Sequence, residues 1–251
     1  MQRFVLGITG PVVLGAVISL ITHGFTAPLA FAQEESAREP KGRVETVLTE
    51  ERQRALTPKS VLLSLQDGNR RFVANDLTAR DHSAAVRKAA TGQFPKAIIL
   101  SCVDSRIPVE DVFDRGIGDI FVARVAGNFV NEDILGSMEF ACKVSGARLV
   151  LVLGHEHCGA IKAAIDNVQL GNITGMLSKI RPSVERVEYA GLRTSANAEF
   201  VHMVAERNVR DTMKAIQDES PILKDMLEKG EIEIRGALYD MDSGVVEFLA
   251  P

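Results

Sequence analysis

The sequence predicts an α/β fold: a central, mostly parallel β-sheet flanked by helices, with an N-terminal helical arm. Two observations predict it. Short apolar runs of strand length alternate with segments of helical period from about residue 97 to residue 168, and that alternation builds a parallel sheet covered on both faces. The strand candidate at residues 97–100 is also continuously apolar, as a strand buried on both sides must be. The 251 residues suffice for one sizeable domain with a full core.

The first 32 residues stand apart. Met1-Gln2-Arg3 gives a basic start, residues 4–21 are almost free of polar side chains, and Ala30-Phe31-Ala32 sets small residues before Gln33. This is the pattern of a secretory signal, with cleavage near Ala32-Gln33 and a periplasmic destination. A retained anchor is the plainer alternative, because the apolar run is nearly long enough to span a bilayer. Pro11, Pro28 and the Ala-x-Ala site favour cleavage, which would leave no contact with the membrane. Residues 33–56 are polar and lack an apolar period, so they read as a flexible N-terminal segment ahead of a domain over 57–251.

Thr57-Pro58 is an N-cap followed by proline at the first helical turn, and Val61, Leu62, Leu65, Phe72 and Val73 extend one apolar face to about Asn75. Ser83 is the expected cap of a second helix that Gly92 stops. Residues 97–100 (AIIL) form a buried strand, 108–113 a short helix, 119–125 a second strand and 131–144 a helix ending near Gly146. Residues 148–153 (RLVLVL) are the clearest strand, followed by a helix over 158–168. A long helix is expected over 196–217 and a shorter one over 221–228. Residues 231–239 and 245–249 read as a hairpin or edge strands around Asp242-Ser243-Gly244.

Composition narrows the function. A net charge of −4 provides no basic field for nucleic acid, and two Tyr with no Trp make a poor base-stacking surface. Three cysteines are an odd number for a disulfide framework. Cys142 falls in the apolar pattern of Ile134, Leu135, Met138 and Ala141 and reads as a core thiol.

Chemistry concentrates in two clusters, each directly after a buried strand: Ser101-Cys102-Val103-Asp104-Ser105-Arg106 and Gly154-His155-Glu156-His157-Cys158-Gly159. Ligands of an open parallel sheet bind beyond the carboxyl ends of its strands, so both clusters belong to one edge. Two sulfurs from Cys102 and Cys158, the nitrogen of His155 and an oxygen of Asp104 suit tetrahedral zinc. A closed structural zinc site is the plain reading of such a set. Asp is an unusual ligand for one, and Arg106 two residues further on offers its carboxylate a bidentate competitor. With Asp104 turned to Arg106, one zinc position would be left for water.

Cys102-x-Asp104-x-Arg106 with His155-x-x-Cys158 resembles the signature of the β-class carbonic anhydrases. The resemblance runs from about Leu62 to Glu247 and takes in Gly68-Asn69-Arg70-Arg71-Phe72, Pro95, Arg124-x-Ala126-Gly127-Asn128 and Gly159. It implies zinc-dependent, reversible hydration of CO₂ to bicarbonate, with one Zn²⁺ per subunit held by Cys102, His155 and Cys158. Asp104 and Arg106 would form the catalytic dyad, with Asp104 an optional fourth ligand. It further implies that Gln93 hydrogen-bonds substrate, that the Gly159 N–H helps hold the dyad carboxylate, and that Phe121 and Val125 wall the CO₂ pocket. A homodimer or homotetramer with the site near the subunit boundary is implied too. The chain departs from plant-type members at Phe140, where they carry Tyr. Ile99 stands where one bacterial subgroup places the Trp of a regulatory bicarbonate site, so no such site is expected. Two alternatives remain open: a zinc hydrolase of carbonyl sulfide or carbon disulfide on the same scaffold, and a non-catalytic zinc-binding envelope protein.

Overall fold

A computed structural model describes residues 43–44 and 46–250. The expected signal peptide lies outside the described residues. Among them, no helix is long and apolar enough to cross a membrane.

Five strands form one sheet in the order β2-β1-β3-β4-β5, with β1 (Ala97–Ser101), β2 (Ile120–Arg124), β3 (Leu149–His155), β4 (Glu233–Tyr239) and β5 (Val246–Phe248). The three pairings from β2 to β4 run parallel, and β4–β5 is antiparallel. The last two strands therefore make the expected hairpin. Only β5 is an edge, however, because β4 lies inside the sheet against β3. The other edge is β2, whose half-buried side chains distinguish it from the fully buried β1 and β3.

Side-chain alternation divides the core between the two faces of the sheet. Ile98, Leu100, Val150 and Val152 point to one face, and Ala97, Ile99, Leu149, Leu151 and Leu153 to the other. The first face is covered by α9 (Ala198–Glu219), α10 (Pro221–Glu228), α6 (Gly159–Ile165) and α5 (Glu132–Glu139), the last continuing into a π-helical turn at Phe140–Val144. The long helix α9 lies directly on Gly154 of β3 and Gly236 of β4, where a Cβ would come within 2.6 Å of Val209. The second face is covered by α2 (Pro58–Val73) and α4 (Val109–Val112).

Local signals explain most helix boundaries. Thr57 and Ser60 form a reciprocal capping box at the start of α2, ahead of an apolar stripe that buries Val61 and Leu65. The N-cap of α3 (His82–Ala89) is Asp81 rather than Ser83: its carboxylate accepts the Ala84 N–H at 2.9 Å and the Ser83 hydroxyl at 3.1 Å. Asn131, Asn197 and Ser220 cap α5, α9 and α10 in the same way. Two short helices, α7 (Gly171–Leu177) and α8 (Arg181–Arg186), occupy a stretch where the sequence shows no clear period.

Part of the segment expected to be flexible is held in place. Glu50–Arg54 forms α1, and Gln53 is buried against the sheet, its amide donating to Pro95 O and Ser145 O at 2.7 Å each. A five-residue helix anchored by one glutamine leaves no apolar period to detect.

Candidate active site and metal centre

Strand register brings the two chemical clusters together. β1 and β3 are neighbours with Ser101 opposite Leu153, so both chains leave the sheet at the same edge. Cys102 follows β1, His155 ends β3, and Cys158 is the N-cap residue of α6. All three are buried.

The Cys102 and Cys158 sulfurs stand 4.0 Å apart, and one ligand-type atom of each of Cys102, His155 and Cys158 lies within 4.8 Å of the other two. Two sulfurs on one tetrahedral zinc, at ~2.3 Å each, are ~3.8 Å apart. His155 Nδ1 lies 2.8 Å from the Glu156 carbonyl, a contact that fixes the ring with Nδ1 as donor and leaves Nε2 as the free acceptor. That Nε2 is fully buried and meets no hydrogen-bond partner among the described residues. A buried, unpartnered imidazole nitrogen facing two sulfurs fits a thiophilic divalent ion and fits little else.

Electrostatics favour one thiolate here. The Cys102 thiol is held well below its ordinary value, chiefly by a hydrogen bond from Cys158, with help from the backbone N–H groups of Gly127 and Asp104. Cys158 is pushed up by the same pairing and by burial. The pair thus parts with its first proton readily and keeps its second, which a cation would displace.

Asp104 is not in that three-atom group. Its carboxylate is gripped by Arg106, which donates from its backbone N–H (3.0 Å) and Nε (2.9 Å) to Oδ1 and from Nη2 (2.7 Å) to Oδ2. The four candidate ligands therefore reduce to three in this state. The Arg106 hydrogen bonds, more than any other influence, hold the Asp104 carboxyl far below the usual carboxylate range.

The residues named as substrate contacts divide between the two ends of the sheet. Val125 is at the site end, its N–H donating to Ser101 O at 3.1 Å. Gln93 is exposed and precedes β1, at the opposite end of a strand that spans about 16 Å. Phe121 pairs with Ile98 near that far end and packs on Phe140, ring centroids 6.3 Å apart. Neither Gln93 nor Phe121 reaches this chain's own cysteines, because strand direction separates them. Gly159 opens α6 beside the site, but every described hydrogen bond to the Asp104 carboxylate comes from Arg106 and none from Gly159.

Two supporting groups carried no assigned role in the sequence. Arg124, at the end of β2, donates Nε to Cys102 O at 2.8 Å and Nη2 to Asp104 O, so it clamps the loop bearing both a ligand and the dyad. Asn208, buried on α9, donates to Gly127 O at 2.8 Å, and the Gly127 N–H points at Cys102 Sγ at 3.4 Å. Gly127 itself has φ +85°, and a Cβ there would come within 2.4 Å of Ile180. The signal for Asn208 was present: it is a lone amide among Val201, Val204, Ala205 and Val209 on the buried face of α9.

The family profile described as carbonic anhydrase matches residues 97–246, more than half of the chain. The chain belongs to the β-class carbonic anhydrases. It is 35% identical over 192 residues to carbonic anhydrase 2 of Mycobacterium tuberculosis, covering 74% of this chain and 90% of that protein. The β-carbonic anhydrase crystal structure from Aspergillus fumigatus superposes with a TM-score of 0.58 at 29% identity, covering 67% and 81% of the two chains. That from Coccomyxa gives 0.60 at 25% identity, covering 75% and 84%. Membership makes this chain an enzyme of CO₂ hydration and sets aside the non-catalytic alternative.

Proposed function

We propose that Cys102, His155 and Cys158 hold one zinc ion per subunit, and that Asp104 and Arg106 act beside it in the hydration of CO₂ to bicarbonate. The supporting observation is the meeting of two sulfurs 4.0 Å apart with a buried, unpartnered His155 Nε2. Zinc bound there would supply a Lewis acid that makes hydroxide available near neutral pH. The chain's own groups do the rest. Asp104, kept ionised by Arg106, accepts a hydrogen bond from the nucleophile and orients its lone pair. Arg106, in turn, keeps the carboxylate away from the three ligands. Val125 adds apolar wall where a small linear substrate enters. Full metallation with CO₂ hydration that a chelator abolishes and added zinc restores is the expected result; unchanged turnover in metal-free protein would overturn the proposal.

Gln93 and Phe121 enter this reading through a second copy. Each lies at the wrong end of its own sheet, so a dimer that sets the far end of one sheet against the site end of its partner would complete both sites. We further propose export to the periplasm with cleavage near Ala32-Gln33. The mature protein should begin at or near Gln33 when its N-terminus is sequenced from a periplasmic fraction, and an intact Met1 start there would reject this.

A further inference from the structure

Outward of His155 and Cys158, three side chains that the hydration reaction does not use converge on one point. Glu156 and His157 come from the turn between β3 and α6, and Asp242 from the turn between β4 and β5; one ligand-type atom of each lies within 4.8 Å of the other two. Sheet pairing enforces the meeting. Tyr239 is opposite His155, and the Glu156 N–H donates to Tyr239 O at 3.1 Å, which sets the two turns side by side.

Three details mark this group off from an ordinary polar surface. Among the described residues, neither the His157 ring nor the Asp242 carboxylate hydrogen-bonds or ion-pairs with another side chain; Asp242 is tied only through its backbone N–H to Asp240 Oδ1 at 2.8 Å. The Asp240 carboxylate is already committed to that N–H, to the Ser243 N–H and to the Ser243 hydroxyl, so it holds the turn that presents Asp242. His157 adopts φ +55°, a left-handed conformation seldom taken by a side-chain-bearing residue. The result is two carboxylates and an imidazole brought together, with His202 Nδ1 3.5 Å from Glu156 Oε1. Lys162 lines the adjoining cavity beside Glu156, His157 and His202. Carboxylates held close repel, and a shared cation removes the repulsion.

We propose that Glu156, His157 and Asp242 form a second, solvent-accessible divalent-cation site. One nitrogen and two carboxylate oxygens suit Zn²⁺, with water completing the shell. Lacking thiolates and burial, the site binds more weakly than the cysteine pair and exchanges faster. His202 positions the Glu156 carboxylate. Occupancy ties the turn carrying His155 and Cys158 to the hairpin turn of β4–β5.

The test counts metal in the full chain. Protein is saturated with Zn²⁺ or Co²⁺, and bound metal per chain is measured by elemental analysis. Cobalt–thiolate absorption separately reports metal on the cysteine pair. The parent should saturate at two metals per chain, and His157→Ala and Asp242→Asn at one, with thiolate absorption per chain the same in all three. A parent that saturates at one thiolate-bound metal, or variants that still take two, would overturn the site. Absent thiolate absorption with one metal bound, lost in His157→Ala, would support this site while sinking the reading of the cysteine pair.

Discussion

The role of Asp104 turns on which cation it faces. Held by three hydrogen bonds from Arg106, it is an ionised acceptor near the cysteines; released, it would offer the proposed zinc a fourth ligand. Replacing Arg106 with Ala should leave the cysteine-held metal bound, now capped by Asp104, and lower kcat by about 10²- to 10³-fold, the usual loss on removing one oriented polar group from an active site. Stopped-flow hydration and metal analysis on the same sample check both halves, and near-parent turnover would deny the dyad. Cys142 shows the opposite fate for similar chemistry. Burial alone pushes its thiol up to about 12, so it is an inert core group, as its apolar neighbours in the sequence suggested. Cys102, equally buried, becomes acidic through Cys158, and the 56-residue gap between them gives no hint of their 4.0 Å approach. The motif made both plausible ligands, but only strand pairing made them neighbours.

At the scale of elements, ion pairing explains what apolar pattern cannot. Asp114, whose side chain is fully buried, accepts from Arg71 of α2, from Arg80 and from the Thr78 N–H and hydroxyl, tying α2 and the loop after it to the end of α4. Burial opposes ionisation of Asp114, yet the bonds from Thr78 and Arg71 outweigh it and hold the carboxyl below its ordinary value. A depressed folded-state pKa stabilises above the unfolded value, about 3.9, and that stability is lost as pH falls through the lower folded value. Asp114→Asn should cost about 3 kcal/mol at neutral pH, since it leaves two largely buried arginines without their carboxylate. Its Tm should also fall less steeply than the parent's below about pH 4. An unchanged acid slope would place the acid sensitivity elsewhere. The motif Gly68-Asn69-Arg70-Arg71-Phe72 owes part of its pattern to these contacts. Asn69 is buried and bonds Val112 O, Gly244 O and the Val246 N–H, which fastens α2 to the β4–β5 hairpin. Nothing in the local sequence reveals those partners, which lie up to 177 residues away.

For the whole molecule, the decisive fact is that the sheet has two ends. Cys102, His155 and Cys158 sit at one and Gln93 with Phe121 at the other. A two-fold assembly would let each copy complete the other's site. Gln93→Ala and Arg106→Ala chains should each be weak alone, yet a mixed pair contains one site with both groups intact. Co-expressed chains should therefore recover up to about half of parent turnover per mixed pair. Activity no greater than the average of the two separate variants would place Gln93 outside the partner's site.

By itself the sequence determined the strand runs, the capped helices, the two chemical clusters that follow buried strands and the family they belong to, because those depend on residues close together in the chain. Tertiary structure decided which loops meet. It turned Asp104 to Arg106, gave Arg124 and Asn208 their supporting roles, sent Gln93 and Phe121 to the far end and brought Asp242 to His157. Each of these depends on parallel strand order and register, and those are fixed by the packing of both sheet faces at once rather than by any local run of residues.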